Sequence, residues 1–491
     1  MTPTGGALSA EEAWQSVDWM ATQGAVRRLQ LRIAKACKEG QKGKVKALQW
    51  LLTHSKSAKL LAVRRVTTNR GKRTPGVDGI VWRTSRQKWL AANGLNRKGY
   101  KASPLRRIYI PKKNGKKRPL GIPTMKDRAM QALYLLALEP VTETTADLHS
   151  YGFRPFRSTA DAIERCFTLL ARRCSPRWVL EADISGCFDN ISHDWLLQHV
   201  WMDRRPLHQW LKSGFVERQS LFPTQSGTPQ GGIISPCLAN LTLNGLEKAI
   251  RESVGPKRKV NCVRYADDFI VTGDSREVLS KQVLPAVRQF LSIRGLTLSG
   301  EKTRIVHITE GFDFLGFNVR KYREKLLIKP AKANIRTFLC DIRRLIKESV
   351  SAKLSVLLRR LNAKLRGWCQ YYRHAVSSKA FYRIDAAVFR ILLRWTRRRH
   401  PRKSAKWRVK KYFTTIADRS WVFHDKSRLG SPNSVLFYAA KLPIRRHIAI
   451  RSAATPYERT YDDYFEKRRQ GISIFRSHHM PGYWIGSLTA A

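Results

Sequence analysis

Apolar residues recur along this chain with two periods, and the change of period marks the change of element. Val26, Leu29, Ile33 and Ala36 fall at helical spacing, then Val45, Leu48, Leu51 and Leu52, with Arg and Lys on the other face. This spacing predicts that roughly the first sixty residues are helical. TTNRGKRTPGVDGI, dense in Gly, Pro, Asp and Asn, reads as a loop. Alternation then takes over: Ile108 and Ile110, and Leu120 and Ile122, flank Asn114-Gly115, a type I′ hairpin signal. MKDRAMQALYLLALEPVTE returns to helical spacing and is predicted to stop at Pro140, which lacks the N–H a helix needs. WVLEADISGCFDNI reads as an apolar strand running to Asp183. SHDWLLQHVW starts a helix with Ser192 as its N-cap. TPQGGIISPCLANLTLNGLEKAI is a glycine-rich turn entering a helix. In VRYADDFIVTG, Val263 and Tyr265 before the acids and Phe269 and Val271 after them predict a hairpin with Asp267 and Asp268 at its turn. A helix over 278–294 follows, and GFDFLGFNVRKYREKLLIKP predicts a last pair of strands.

After Pro330 the strand and turn signals fade. Leu354, Leu357, Leu358, Leu361, Leu365 and Trp368 form one helical stripe, and Phe381, Ile384, Val388, Ile391 and Trp395 another. RRRHPRKSAKWRVKKYF opens a basic, less periodic segment.

Charge changes the picture more than length does. The 491 residues, 43% hydrophobic, suffice for a sizeable core. Lys and Arg number 93 against 36 Asp and Glu, a net charge of +57. Self-repulsion on that scale is tolerable when the working state includes a polyanion, and nucleic acid is the leading one. A membrane surface ranks second, without a basic amphipathic anchor or a spanning run to support it. The eight cysteines are scattered with no CxxC pair, which argues against a zinc ribbon and a disulfide framework. With an N-terminus unlike a signal peptide, this suggests the cytoplasm.

Asp183 ends one strand, and Asp267 and Asp268 turn a hairpin. If those strands are neighbours, three carboxylates converge. Such a cluster is costly alone but stable around divalent cations, and Mg²⁺ takes one or two carboxylates and shares its sphere with phosphates. Taken singly, Asp268 serves equally as a turn cap and Asp183 as a helix cap.

In order, the chain also shows TPGVDG, YIPKKNGKKRPLGIPT, SYGFRPFRSTADA, EADISGCFDNISH, TPQGGIISPCLAN, RYADD, LTLSGEKT and FDFLGF. With these motifs over nearly its whole length, it resembles the group II intron-encoded reverse transcriptases with maturase function. The resemblance implies an α+β right-hand polymerase of fingers and palm, an α-helical thumb (the maturase X domain), and a small basic C-terminal DNA-binding region. The expected boundaries are an N-terminal helical extension over 1–90, fingers and palm over 91–325, thumb over 326–400, and basic region with a short tail over 401–491.

The resemblance also assigns roles. Asp183, Asp267 and Asp268 are the catalytic acids and, with the Ile184 carbonyl, the ligands of two Mg²⁺ ions. Asp267 is the direct ligand and Asp268 the more adjustable. Phe188 is the aromatic gate at the sugar 2′ position, so the product is DNA. Gln230 and Gly231 lie along the incoming nucleotide, Lys112 and Arg118 hold its triphosphate, and Lys302 sits near the leaving pyrophosphate. Lys113, Lys116 and Lys117 face solvent or template. In the thumb, LRGWCQYYRHAV is typical of the family, and Arg359, Arg360, Arg366 and Arg373 are expected phosphate contacts. The expected partners are the intron RNA as a ribonucleoprotein, target DNA and deoxynucleoside triphosphates, with no membrane. His478 and His479 lack the cysteine framework of the endonuclease found in many relatives, so no nuclease is expected. Two other functions fit part of the pattern: a splicing-only maturase, and a domesticated reverse transcriptase in defence. The intact acids disfavour the first and the arginine-rich thumb the second.

Overall fold

The computed structural model describes residues 8–111, 115, 117–428, 430 and 434–476. Lys112, Lys113, Asn114 and Lys116 at the hairpin turn, and His478 and His479, lie outside the described residues. The chain forms two compact units. The first takes residues up to Ala162, Leu180–Ile305, and the chain from Ile450 onward; the second takes Ile163–Val179 and Val306–Ala449.

After a short helix over Ala10–Gln15, the first unit continues with helices α1 (Trp19–Lys38), α2 (Lys42–His54) and α3 (Lys56–Thr68). Asp18 caps α1, its carboxylate accepting from the N–H groups of Met20 and Ala21. Val26, Ile33 and Ala36 are buried as their spacing predicts, as are Val45, Leu48 and Leu52. Leu51 is not: it is 46% exposed. Six positions beyond Val45, it stands about 120° around the helix from that residue and leaves the stripe.

Strands β1 (Leu105–Pro111) and β2 (Lys117–Ile122) form the expected hairpin, pairing Ile108 with Leu120 and Ile110 with Arg118. Helix α4 (Met125–Thr144) does not stop at Pro140 but runs through it. The carbonyl that Pro140 cannot bond is that of Leu136. It accepts instead from Gln30 Nε2 of α1 at 2.8 Å, and Ala137 O accepts from Gln49 Nε2 of α2 at 3.2 Å. The tertiary partner replaces the hydrogen bond whose loss is one part of the penalty that normally ends the helix. Gln30→Ala takes the donor from a part-buried carbonyl and is expected to lower stability by about 1 kcal/mol in denaturant melts.

The remaining strands of this unit are β3 (Trp178–Asp183), β4 (Phe215–Glu217), β5 (Ser220–Phe222), β6 (Asn261–Tyr265), β7 (Asp268–Gly273) and β8 (Arg304–His307); the division between units passes through β3 and β8. They make two sheets, ordered β2-β1-β4-β5 and β6-β7-β3-β8. Ser192 caps its helix as predicted, accepting from Trp195 N–H. The helix predicted after the glycine-rich turn is two, α5 (Ser235–Leu243) and α6 (Leu246–Val254), broken where Gly245 takes φ 91°.

The second unit carries β9 (Phe312–Phe314), β10 (Phe317–Tyr322) and β11 (Lys325–Pro330), ordered β11-β10-β9. There are three strands where a pair was expected. Leu315 and Gly316, both at positive φ (50° and 81°), turn the chain between β9 and β10, and Leu315 is not a residue that signals such a turn. Helices α7 (Lys332–Glu348), α8 (Leu354–Tyr372) and α9 (Ser378–Arg399) close over a core that includes Ile342, Leu357, Leu361, Leu365, Ile384, Val388 and Trp395, much of the two stripes read from the sequence. A short helix α10 (Ala405–Tyr412) leads into the hairpin β12 (Phe413–Ile416) and β13 (Arg419–Phe423), strands the sequence pattern did not announce.

From Ile450 the chain belongs to the first unit. Tyr457 OH donates to buried Glu139, Phe156 and Phe465 pack with centroids 4.7 Å apart, and helix α11 (Asp462–Arg476) sends Arg468 to Asp161 at 2.8 Å. Among the described residues no helix is long and apolar enough to cross a membrane.

Candidate active site

The order β7-β3 makes the three acids neighbours. Asp183 is the last residue of β3; Tyr265 pairs with Asp268, so Ala266 and Asp267 form a two-residue turn between β6 and β7. Ala266 sits at φ 58°, the left-handed region that an L-residue enters only when its surroundings enforce it. Asp183 and Asp267 are half-buried, while Asp268 keeps an exposed face.

Electrostatics ties the acids together. Burial raises the Asp267 carboxyl above its usual range, the charge of Asp183 adds to this, and Lys302 and Arg118 oppose it. Asp268 is pushed up to about 7, by desolvation first, then by a hydrogen bond with Asp183 and the charges of Asp267 and Asp183. Lys302 Nζ donates to Asp183 Oδ2 at 2.6 Å, and this bond raises the lysine pKa. The cluster thus holds a proton and an ammonium where its charge would otherwise be unbalanced.

Other predicted residues border the acids. Ile184 is buried and opposes Leu298; Ser299 N–H donates to Asp183 O and Ser185 N–H to Thr297 O, so the Ile184 carbonyl points away from Leu298. Phe188 is half-buried and meets Phe153 edge-on, with centroids 6.0 Å apart. Gln230 Nε2 donates to Asp189 Oδ2 at 3.0 Å, and Gln230 O accepts from Gly121 N–H of β2 at 2.8 Å. Gly231, at φ 117°, lies so close to β2 that an added Cβ would be 2.7 Å from Gly121 O. The approach that demands glycine here is to β2. Arg118 is half-buried on β2, and its charge reaches Asp267.

In the second unit, Arg359, Arg360 and Arg366 are exposed on α8, Arg366 lying over the Phe437 ring at 5.6 Å. Arg373 is half-buried and donates to Gln370 Oε1 and Pro443 O.

Among the described residues no group of three or more His, Cys, Asp or Glu side chains forms a ready metal cage. The donor set still suits a hard divalent cation. The acids are all oxygen donors held under mutual repulsion, and Mg²⁺ characteristically completes its sphere with water and substrate phosphates. A pH test follows for the metal-free protein. The folded state keeps the Asp268 proton to about pH 7, whereas an unfolded aspartate releases it near its ordinary value of 3.8. Folded stability therefore falls as pH rises between those values and stays low above them. The melting temperature should drop from pH 6 to pH 8, Mg²⁺ should restore more of it at pH 8, and Asp268→Asn should flatten the dependence in thermal melts.

Sequence reading assigned no role to Arg264, which is buried in β6, or to Asp147, Asn240 and Gly152 around it. RYADD, SYGF and TPQGGIISPCLAN contain three of them, but a strand pattern does not tell which face an arginine takes.

Comparison with known proteins gives the family. The family model of reverse transcriptase (RNA-dependent DNA polymerase) matches residues 110–319, that of the N-terminal domain of reverse transcriptase residues 14–95, and that of the group II intron maturase-specific domain residues 335–413. The chain is 34% identical over 311 residues to protein YkfC of Escherichia coli, covering 54% of this chain and 80% of that one. It is 30% identical over 410 residues to the group II intron-encoded protein LtrA of Lactococcus lactis, covering 64% and 68%. A Candida albicans telomerase structure aligns over 63% of this chain and 64% of that one at 12% identity, with a TM-score of 0.36, too loose a likeness to weigh.

Proposed function

Because the chain belongs to the group II intron-encoded reverse transcriptases, we propose that Asp183, Asp267 and Asp268 are the site at which it copies its intron RNA into DNA. It is an RNA-directed DNA polymerase of a divalent-metal-dependent class, with a maturase domain that binds RNA and assists splicing. The observation that carries the site assignment is the meeting of the three carboxylates at the ends of β3 and β7, with Lys302 bonded to Asp183 and the charge of Arg118 acting on Asp267.

Asp183, Asp267 and the Ile184 carbonyl would hold two Mg²⁺ ions, Asp268 joining them once it loses its proton. When bound, such ions lower the pKa of a primer 3′-hydroxyl and offset charge on the phosphates. The chain's own side chains do the rest. Arg118 grips the triphosphate through its planar fork, and Lys112, read from the motif alone, adds a point charge. Lys302 passes from Asp183 to the departing pyrophosphate. Gln230 and Gly231 border the nucleotide, and Phe188 rejects a 2′-hydroxyl. Arg359, Arg360 and Arg366 contact RNA phosphates; Arg373, already bonded within its unit, shapes that surface instead. Target DNA is the acceptor of the copied intron, and the work is done beside the transcript in the cytoplasm.

Purified protein with an RNA template, a DNA primer and deoxynucleotides should extend the primer only when Mg²⁺ is present, and should raise splicing of its intron at low Mg²⁺. Absence of extension defeats the polymerase reading of this site. Phe188→Ala should increase ribonucleotide insertion relative to deoxynucleotide on the order of 10–100-fold, read from competing single-nucleotide additions.

A further inference from the structure

The strand that delivers the two acids carries a charge on its buried side. Arg264, in β6, is only 1% exposed. Its guanidinium turns back toward the loop that follows it. Nη1 donates to Ala266 O at 3.4 Å and to Asn240 Oδ1 at 3.3 Å, and Nη2 donates to Asn244 Oδ1 at 3.3 Å. Asp147 Oδ2 lies 3.9 Å from Nη2, and among the described residues Nε has no hydrogen-bond partner. A guanidinium buried for stability alone would be expected in short bidentate pairing. This one spreads long bonds over the Ala266 carbonyl and the two asparagines around it.

What it touches is the strained residue of the catalytic turn. Ala266 at φ 58° is confined from two directions. The backbone at Gly152 comes so near that an added Cβ would lie 2.4 Å from Ala266 N. From beneath, Arg264 holds the Ala266 carbonyl. Asn240 joins the two restraints: its Oδ1 accepts from Arg264 while its Nδ2 donates to Gly152 O at 2.9 Å.

We propose that Arg264 is a positioning residue for DNA synthesis, fixing the Ala266 peptide so that Asp267 and Asp268 meet the divalent cations in one geometry. It touches no substrate and exchanges no proton. The inference rests on the reading of those two acids as the polymerase carboxylates.

The test uses the full chain with Arg264→Met, which fills the space without donors, and Arg264→Lys, which keeps the charge and a single donor centre. Loss of an outer support of a metal site typically costs about 10–100-fold in metal affinity or activity. Arg264→Met should therefore raise the half-saturating Mg²⁺ concentration for primer extension about tenfold and lower kcat by a similar factor, with template-primer affinity unchanged. Arg264→Lys should fall between it and the wild type. Without metal or substrate, amide exchange over residues 262–268 should be faster in Arg264→Met. Wild-type Mg²⁺ dependence and exchange in a folded Arg264→Met overturn the proposal. So does a loss of template-primer affinity with unchanged Mg²⁺ dependence, which marks a packing residue. If Arg264→Met does not fold, Asn244→Ala removes one acceptor and keeps the charge: a raised Mg²⁺ requirement supports the proposal and an unchanged one overturns it. Asp267→Ala separates the two readings, since normal synthesis by that variant defeats the assignment of the acids whatever Arg264 does.

Discussion

Asp267→Ala should lower primer extension by roughly a thousandfold or more, equivalent to about 4 kcal/mol of transition-state stabilisation, while template-primer affinity stays near that of the wild type. Asp267 is half-buried in the turn between β6 and β7, where burial and the charge of Asp183 both raise its carboxyl. A divalent cation relieves that strain, and loss of Asp267 removes a ligand that the turn holds half-buried in place. Asp268 has an exposed face and already carries a proton near neutrality in the metal-free protein, so Asp268→Ala should cost less, on the order of 10–100-fold. Melting separates this effect from damage to the fold. Removing Asp267 relieves repulsion on Asp183, so the metal-free variant should melt at or above the wild-type temperature and gain less from added Mg²⁺. Activity lost together with several degrees of melting temperature would instead mark a structural aspartate.

Much of this site was legible in the sequence because its signals are local. Alternating residues on either side of Asp267 and Asp268 specify a hairpin without reference to anything distant, and the strand ending at Asp183 reads the same way. The adjacency of β7 and β3 is not local, and for it the ordered motifs of the family stood in. The failures share one cause. Pro140 ends a helix in the absence of a partner for Leu136 O, and that partner, Gln30, lies 106 positions away. Leu315 turns the chain at positive φ because the strands on either side hold it there, against its own preference. Arg264 reads as a polar residue in a strand and becomes a buried support only when Asn240, Asn244 and Asp147 arrive from other elements. The return of the chain from Ile450 into the first unit depends on Glu139 and Asp161, buried acids whose partners are near the other end of the sequence.

The largest stability effect should come from Arg154, in the SYGFRP motif. Its guanidinium forms a two-pronged pair with Glu143, Nε to Oε1 and Nη2 to Oε2, both at 2.9 Å, and its Nη1 donates to the carbonyls of Asp147 and Ser150. The two side chains are 3% and 2% exposed. Arg154→Ala strands a buried carboxylate and two carbonyls, a change expected to cost about 3–5 kcal/mol. Glu143→Ala, which strands the guanidinium, should cost a similar amount. The double variant Arg154→Met/Glu143→Leu, with no buried charge left over, should be more stable than either single one, because desolvation of an unpaired ion rather than loss of attraction dominates the single costs. Denaturant melts of the three variants read this directly, and additive losses would show that the pair is not coupled. The consequence reaches the acids. Asp147 and Ser150, whose carbonyls Arg154 holds, flank His149, and His149 O accepts from the Arg264 N–H while the Tyr151 N–H donates to Arg264 O. Assayed well below its melting temperature, Arg154→Ala should therefore still need more Mg²⁺ than the wild type, while the double variant, which restores stability but not the two carbonyl bonds, should recover its melting temperature without recovering that requirement.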